Sequence, residues 1–335
     1  MNIQKKEVQK FVINNALYVV LFLLLLIIIM KEPSFLNIRN FKNVLTQSSV
    51  RVIIALGVAG IIVTQGTDLS AGRQVGFSAV LAATLLQATT NVNKVFPNLG
   101  DIPIPVVILA VMLLGGLLGL INGVIVAKFN VTPFIATLGT MIMVYGANSL
   151  YYDYVGATPV SGFVSRYSNF AQGSLEFLGL DIPYLIIYAC LSIAFMWVLW
   201  NKTIFGKNLF AVGGNPEAAT VSGVNVTKTL IKVYVLSGIF YALGGMLEAG
   251  RIGSATNNLG NMYELDAIAA CVVGGVSFSG GVGSVPGVVI GVIIFTVINY
   301  GLTYIGVNPY WQFIIKGFII IAAVALDTMK HSKKK

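Results

Sequence analysis

The sequence predicts an all-α integral membrane protein with about ten transmembrane helices, some of them short or broken. Three observations predict it. Of 335 residues, 56% are hydrophobic and only 10% charged, whereas a soluble domain carries about 25% charged residues. The mean hydropathy is +0.86. Apolar runs close to the roughly 20 residues that cross a bilayer recur from one end of the chain to the other. The 36 glycines suit the same class, because small residues let membrane helices approach closely.

Taken in order, the spans are expected at 16–31, 50–66, 74–89, 104–127, 132–151, 183–200, 229–249, 264–279, 285–305 and 310–327, the third and eighth being short. The first follows a basic segment, as a secretory signal does. A cleavable signal ends in small residues, but Lys31, Glu32 and Pro33 stand here, so an uncleaved span is expected. Lys5, Lys6 and Lys10 precede the first span, and Lys330, Lys333, Lys334 and Lys335 follow the last. Positive charge beside spans marks the cytoplasmic side. Both termini are therefore expected inside, which requires an even number of crossings. The net charge of +9 is thus read as topology, with a lipid bilayer and no nucleic acid as partner. Lys31, Arg39 and Lys42 fall outside in this scheme, against the local trend of the rule.

Residues 152–182 form the largest external loop in this scheme and 201–228 the largest internal one, within one permease domain covering 1–335. Gly115, Gly119 and Gly123, and again Gly283, Gly287 and Gly291, recur every four residues. That spacing lines each set along one helix face, as close helix packing requires. Cys190 and Cys271 stand alone in apolar runs and are expected to be small buried hydrophobes. The one histidine, His331, sits in the basic tail. No metal cluster and no catalytic residue pair can be assembled from that inventory.

Three polar stretches interrupt the pattern. In "TQGTDLSAGRQVG" (64–76), Gln65, Asp68, Ser70, Arg73 and Gln74 cluster between two spans. Charge near a membrane interior is costly unless paired or hydrated, so such residues suggest a translocation path or gate. Asp68 or Ser70 could equally cap the next helix, with an Asp68–Arg73 pair at the turn. In "GRIGSATNNLGNMYELD" (250–266), Asn257, Asn258, Glu264 and Asp266 offer the directional donors and acceptors that sugar hydroxyls need. Asparagine serves ordinary turns just as well. In "AVGGNPEAATVSG" (211–223), Asn215 and Pro216 start a helix. Glu217 lies at its positive end, and Ala218 and Ala219 give it a slim face. It is either a solvated connector or a surface for another protein.

These residues resemble a known family. "GGNPEAA" (213–219) with "SGVNV" (222–226) resembles the cytoplasmic coupling loop of sugar-transporting ABC importer permeases of the ribose/galactose/xylose branch, which are type II-like. "GTDLSAG" (66–72), "ELDAIAACVVGG" (264–275) and "SGGVGSVPG" (279–287) are similar to its other signatures, in the same order and over essentially the whole chain. "GTDLSAGRQVG", "GRIGSATNNLG" and "NYGLTYIGVNPYWQ" (299–312) look most like members that take galactose or methyl-galactoside. The resemblance implies a homodimer in the bacterial inner membrane, a cytoplasmic ATPase subunit that carries ATP–Mg, and an extracytoplasmic galactose-type sugar-binding protein. It also implies that Gly213, Gly214, Asn215, Pro216, Glu217, Ala218 and Ala219 dock on the ATPase.

Two other classes compete. An ion-coupled secondary carrier would place ionisable groups near the midplane, whereas Asp68, Glu248, Glu264 and Asp266 cluster at expected span ends. A membrane enzyme would need a nucleophile–base pair or metal set that the sequence does not offer. The chain also has no G-x-x-x-x-G-K-[ST] phosphate loop, so ATP-driven transport would require a nucleotide site on a partner.

Overall fold

The structure is a computed structural model that describes residues 16–332 apart from residue 178. Lys5, Lys6, Lys10, Lys333, Lys334 and Lys335 lie outside the described residues.

Helix α1 (Ala16–Lys31) is followed by α2 (Ile38–Val63), α3 (Ala71–Leu85), α4 (Ile104–Lys128) and α5 (Pro133–Tyr154). A peripheral segment then contains strand β1 (Val160–Ser161), α6 (Ser165–Gln172) and the strands β2 (Ser174–Phe177) and β3 (Leu180–Pro183). The chain continues with α7 (Tyr184–Lys202), α8 (Ile204–Gly214), α9 (Pro216–Val221) and α10 (Val226–Ile252). Strand β4 (Ser254–Ala255), α11 (Tyr263–Val273), α12 (Val285–Tyr304) and α13 (Pro309–Ser332) complete it. All ten expected spans coincide with helices, and among the described residues α2, α4, α5, α7, α10 and α12 are long and apolar enough to cross a membrane. Helices α3 and α11 have 15 and 11 residues, about 22 and 16 Å of helix, so neither crosses alone. Helix α2 starts at Ile38 instead of residue 50 because Asn37 caps it, accepting the Arg39 N–H at 2.7 Å.

Helix α10 is the central post. Its path fixes the two ends of the bundle: Val226 follows α9, and 27 residues later β4 pairs with β1. At about 1.5 Å per residue, α10 is roughly 40 Å long. Helix α7 likewise runs from β3 to α8. The loops 152–182 and 201–228 therefore sit at opposite ends, called here the hairpin end and the α9 end.

Both glycine ladders act as close helix crossings. A β-carbon on Gly115 would lie 2.1 Å from the Gly238 carbonyl oxygen of α10, and one on Gly119 2.2 Å from that of Tyr234. At the second ladder, Gly287 and Gly291 bring α12 equally near the Gly274 and Ala270 oxygens, while Gly283 precedes the helix and faces Val63 and Val276. Pro286 falls in the first turn of α12, where no intrahelical donor is missed. Cys271 is buried as expected, but Cys190 is exposed because its face of α7 turns away from the core.

Candidate functional site

The three polar stretches of the sequence converge in space. The first two meet where the short helices α3 and α11 begin. Segment 64–70 leads from the α9 end to the start of α3, and segment 256–262 leads from the hairpin end to the start of α11. The two starts touch backbone to backbone. A β-carbon on Gly72 would lie 2.1 Å from Glu264 Oε2, one on Gly76 2.2 Å from the Leu259 oxygen, and one on Gly260 2.2 Å from the Gly72 oxygen. Glycine is required there for proximity alone, and Gly260 also adopts a φ of 82°.

Around this contact the polar side chains separate into three groups. On one side Asp68 Oδ1 accepts the Ser70 N–H at 2.9 Å and the Ser70 hydroxyl at 2.5 Å. Gln74 and Asn122 both donate to Ser70 Oγ at 2.9 Å, and Thr140 donates to Asn122 Oδ1 at 2.6 Å. Asp68, Ser70, Gln74, Asn122 and Thr140 are all buried. Ser70, Gln74 and Ser78 lie four residues apart on one face of α3, the spacing at which helical side chains stack. This group ties segment 64–70 to α4 and α5.

On a second side Arg73 turns away from Asp68. Its Nη2 donates to Asn261 Oδ1 at 2.7 Å and its guanidinium lies 4.2 Å over the Tyr145 ring. The Asp68–Arg73 pair that the capped-turn alternative offered is not formed; two separate anchors stand in its place, because Asp68 accepts from Ser70 within its own turn. Beside Asn261, a cavity of about 310 Å³ opens, lined by Ser254, Thr256, Asn258, Asn261 and Tyr263 among others. That volume lies at the lower end of small-molecule sites, roughly 300–1,000 Å³. Asn258 is exposed on its wall, whereas Asn257 reaches Ser149 Oγ at 3.4 Å and gives its carbonyl to Asn148.

The third group is ionic. Asp266 accepts from Arg51 of α2 at 2.7 Å and pairs with Lys316 of α13 at 3.0 Å. Glu248 is clamped by Arg251 at 2.8 and 2.9 Å and by the Tyr263 hydroxyl at 2.7 Å. Arg51 lies 5.2 Å over the Tyr263 ring, joining both pairs. Glu264, although buried, is turned the other way, towards Gly72. The acidic residues thus serve different partners.

The third polar stretch is built as a surface element. Asn215 Oδ1 accepts the Ala218 N–H at 2.9 Å, and Pro216 opens α9. Glu217 and Ala218 are exposed and Ala219 is buried. Asn225 caps the following α10 by accepting from Lys228 at 2.8 Å. Behind α9, Gln65 Nε2 donates to the Gly213 carbonyl at 2.8 Å, which fastens the third stretch to the first.

Gln65, Asp68, Ser70, Arg73, Asn258, Glu264 and Asp266 therefore lie in one connected region, with Gly213 joined to it through Gln65. Sequence reasoning missed Asn122, Thr140, Tyr145, Asn261, Arg51 and Lys316. A lone Asn122 within "GLINGVIVAK" and charges within apolar helices are the signals that could have found three of them.

Among known proteins, the family model described as the branched-chain amino acid transport system / permease component matches residues 40–324. The galactose/methyl galactoside import permease protein of Escherichia coli is 68% identical over 333 residues, covering 99% of both chains. That of Treponema pallidum is 40% identical, over 98% of this chain and 65% of its own. The ribose import permease protein of Bacillus subtilis is 38% identical over 93% of this chain and 92% of its own. No solved structure matches the chain. A match across residues 40–324, with relatives aligned over almost the entire length, means that this chain belongs to the branched-chain amino acid transport system / permease component family.

Proposed function

We propose that this chain is the membrane-spanning permease subunit of an ATP-driven, binding-protein-dependent importer that moves galactose or methyl galactoside into the cytoplasm. The family description names amino acids, but the 68% identity to a galactose/methyl galactoside permease supports a hexose cargo. The observation that carries the mechanism is α9, an exposed helix capped at its start and set between the 11-residue α8 and the full-length α10. Such an element can be pushed by a partner without rearranging internally, which is what coupling through a rigid link requires. The chain has no phosphate loop of its own, so a cytoplasmic ATPase would supply the nucleotide site and press on Glu217 and Ala218. The α9 end would then face the cytoplasm, as would both termini, and a second copy would complete the pore in the inner membrane.

The sugar would enter from the binding protein at the hairpin end and reach the cavity beside Asn258 and Asn261. Asn amides and Tyr263 there can exchange hydrogen bonds with hydroxyls as they leave water. Glu264, the glycine contact between α3 and α11, and the Asp68–Ser70 turn lie next on the way inward and would form the gate. Uptake into proteoliposomes containing this chain and its ATPase tests the proposal, with binding protein outside and ATP inside. Galactose accumulation should require both and survive an ionophore. Uptake that ignores ATP and collapses with the ionophore would replace the proposal with an ion-coupled carrier.

A further inference from the structure

Helix α2 ends in a way that α5, α9, α11 and α12 share. In each, the residue after the cap is left-handed, and two backbone N–H groups reach back to the last turn. Gly156, Gly223, Gly275 and Gly306 fill the left-handed position in those four, the residue type that adopts it without steric cost. At the end of α2 that position is Gln65, with φ of 62°. A glutamine there is disfavoured unless its side chain does something glycine cannot.

What it does is visible in its surroundings. Gln65 Nε2 donates to the Gly213 carbonyl at 2.8 Å, immediately before α9. Two residues earlier, the Val63 carbonyl accepts the Gly281 N–H at 2.9 Å. The three backbones are packed without intervening side chains. A β-carbon on Gly213 would lie 1.9 Å from the Val63 oxygen, and one on Gly280 2.3 Å from both the Gly213 oxygen and Gln65 Cγ. The end of α8, the end of α2 and the loop before α12 thus form one three-way junction. From it lead segment 64–70, which starts α3, and the loop 274–284, which follows α11.

We propose that Gln65 is a positioning residue for transport, a latch that delivers movement of α9 to both short helices at once. This rests on the coupling role proposed for α9. The Gln65 side chain pulls segment 64–70 along with Gly213, and the Val63–Gly281 bond takes the α11–α12 loop with it. Without the latch, α9 could move while α3 stays, and ATP would be hydrolysed without passage of sugar.

The test is Gln65→Glu, which keeps length and shape but replaces the donor with an acceptor facing a carbonyl. Gln65→Gly is its companion, relaxing the left-handed backbone while removing the bond. Sugar uptake and ATP hydrolysis are measured together in proteoliposomes of the whole complex. Both variants should insert and assemble normally, and both should raise the ATP hydrolysed per sugar imported by roughly fivefold or more, the scale of a typical coupling between sites. Gln65→Lys, which restores a donor, should recover part of the native ratio. A native ratio in both Gln65→Glu and Gln65→Gly would overturn the latch. The parent reading is judged separately on the native chain and on Ala218→Trp: a native chain without ATP-dependent uptake sinks the coupling role itself. Native coupling, lost in Ala218→Trp but kept in the Gln65 variants, sinks only the latch.

Discussion

Asp266 shows how a single carboxylate organises its neighbourhood. It is the common partner of Arg51 and Lys316, whose side chains are 24% and 20% exposed. Asp266→Asn would leave two cations facing each other with their shared anion gone. Breaking a fully buried pair costs about 3–5 kcal/mol, and partial exposure of both cations brings the expected loss down to about 1–3 kcal/mol. A denaturation curve in mild detergent should show it, and adding Lys316→Met should recover part of it; no recovery would mean that Lys316 is not held by this carboxylate. At the hairpin end, Lys42 and Ser174 donate to Asp181 and hold its carboxyl below the usual carboxylate range. Because the folded value is the lower one, this contribution is present above the ordinary value of about 4 and is lost as pH falls through the folded value. Amide exchange in β2 and β3, corrected for intrinsic rates, should keep its protection down to that region and lose part of it below. Protection that stays constant throughout would show that backbone pairing alone orders the ribbon.

Between single residues and the bundle stand the helices, and two contacts there decide most. The crossing of α4 and α10 leaves no room for a side chain, since a β-carbon on Gly115 would lie 2.1 Å from a carbonyl oxygen. Gly115→Ala should therefore cost about 1–3 kcal/mol by overpacking. Gly139→Ala on α5, where nothing lies within 4 Å, should be neutral or stabilising, and the same detergent curves compare the two. For α9, Glu217→Ala or Ala218→Trp should uncouple uptake from ATP hydrolysis with the protein still inserted; normal uptake and ATPase stimulation in both would remove its coupling role. The elements were largely legible in the sequence: ten apolar runs coincide with ten helices, and Asn215 with Pro216 announced the start of α9. The shortfall of α3 and α11 was legible only as shortness. What hid their meeting was glycine, since Gly72, Gly76 and Gly260 carry no side chain whose chemistry could signal a contact. The partners of Arg73 and Asp266 were hidden for another reason. Asn261 and Arg51 lie 188 and 215 residues away from them in the chain, and no local pattern reports so distant an encounter.

At the scale of the molecule, six helices among the described residues are long and apolar enough to cross a membrane, and two short ones have starts that meet in the interior. Irregular backbone at membrane depth is tolerated only where protein or a water-filled cavity satisfies it. Here Thr137 and Asp68 accept the Leu69 and Ser70 N–H groups at 3.1 and 2.9 Å, and Asn148 donates to the Asn257 carbonyl at 3.3 Å. Asp68→Asn should impair transport if that turn forms the gate, and wild-type uptake kinetics would reduce it to a cap. The outward turn of one face of α7 has a practical corollary. The sequence contains two thiols, and Cys271 is sealed in the core while Cys190 is not. A small lipophilic maleimide should therefore tag one place per polypeptide without any engineering. In a paired assembly, a nitroxide attached there would yield one interspin separation, and its change through the nucleotide cycle would track how far the two α7 helices part.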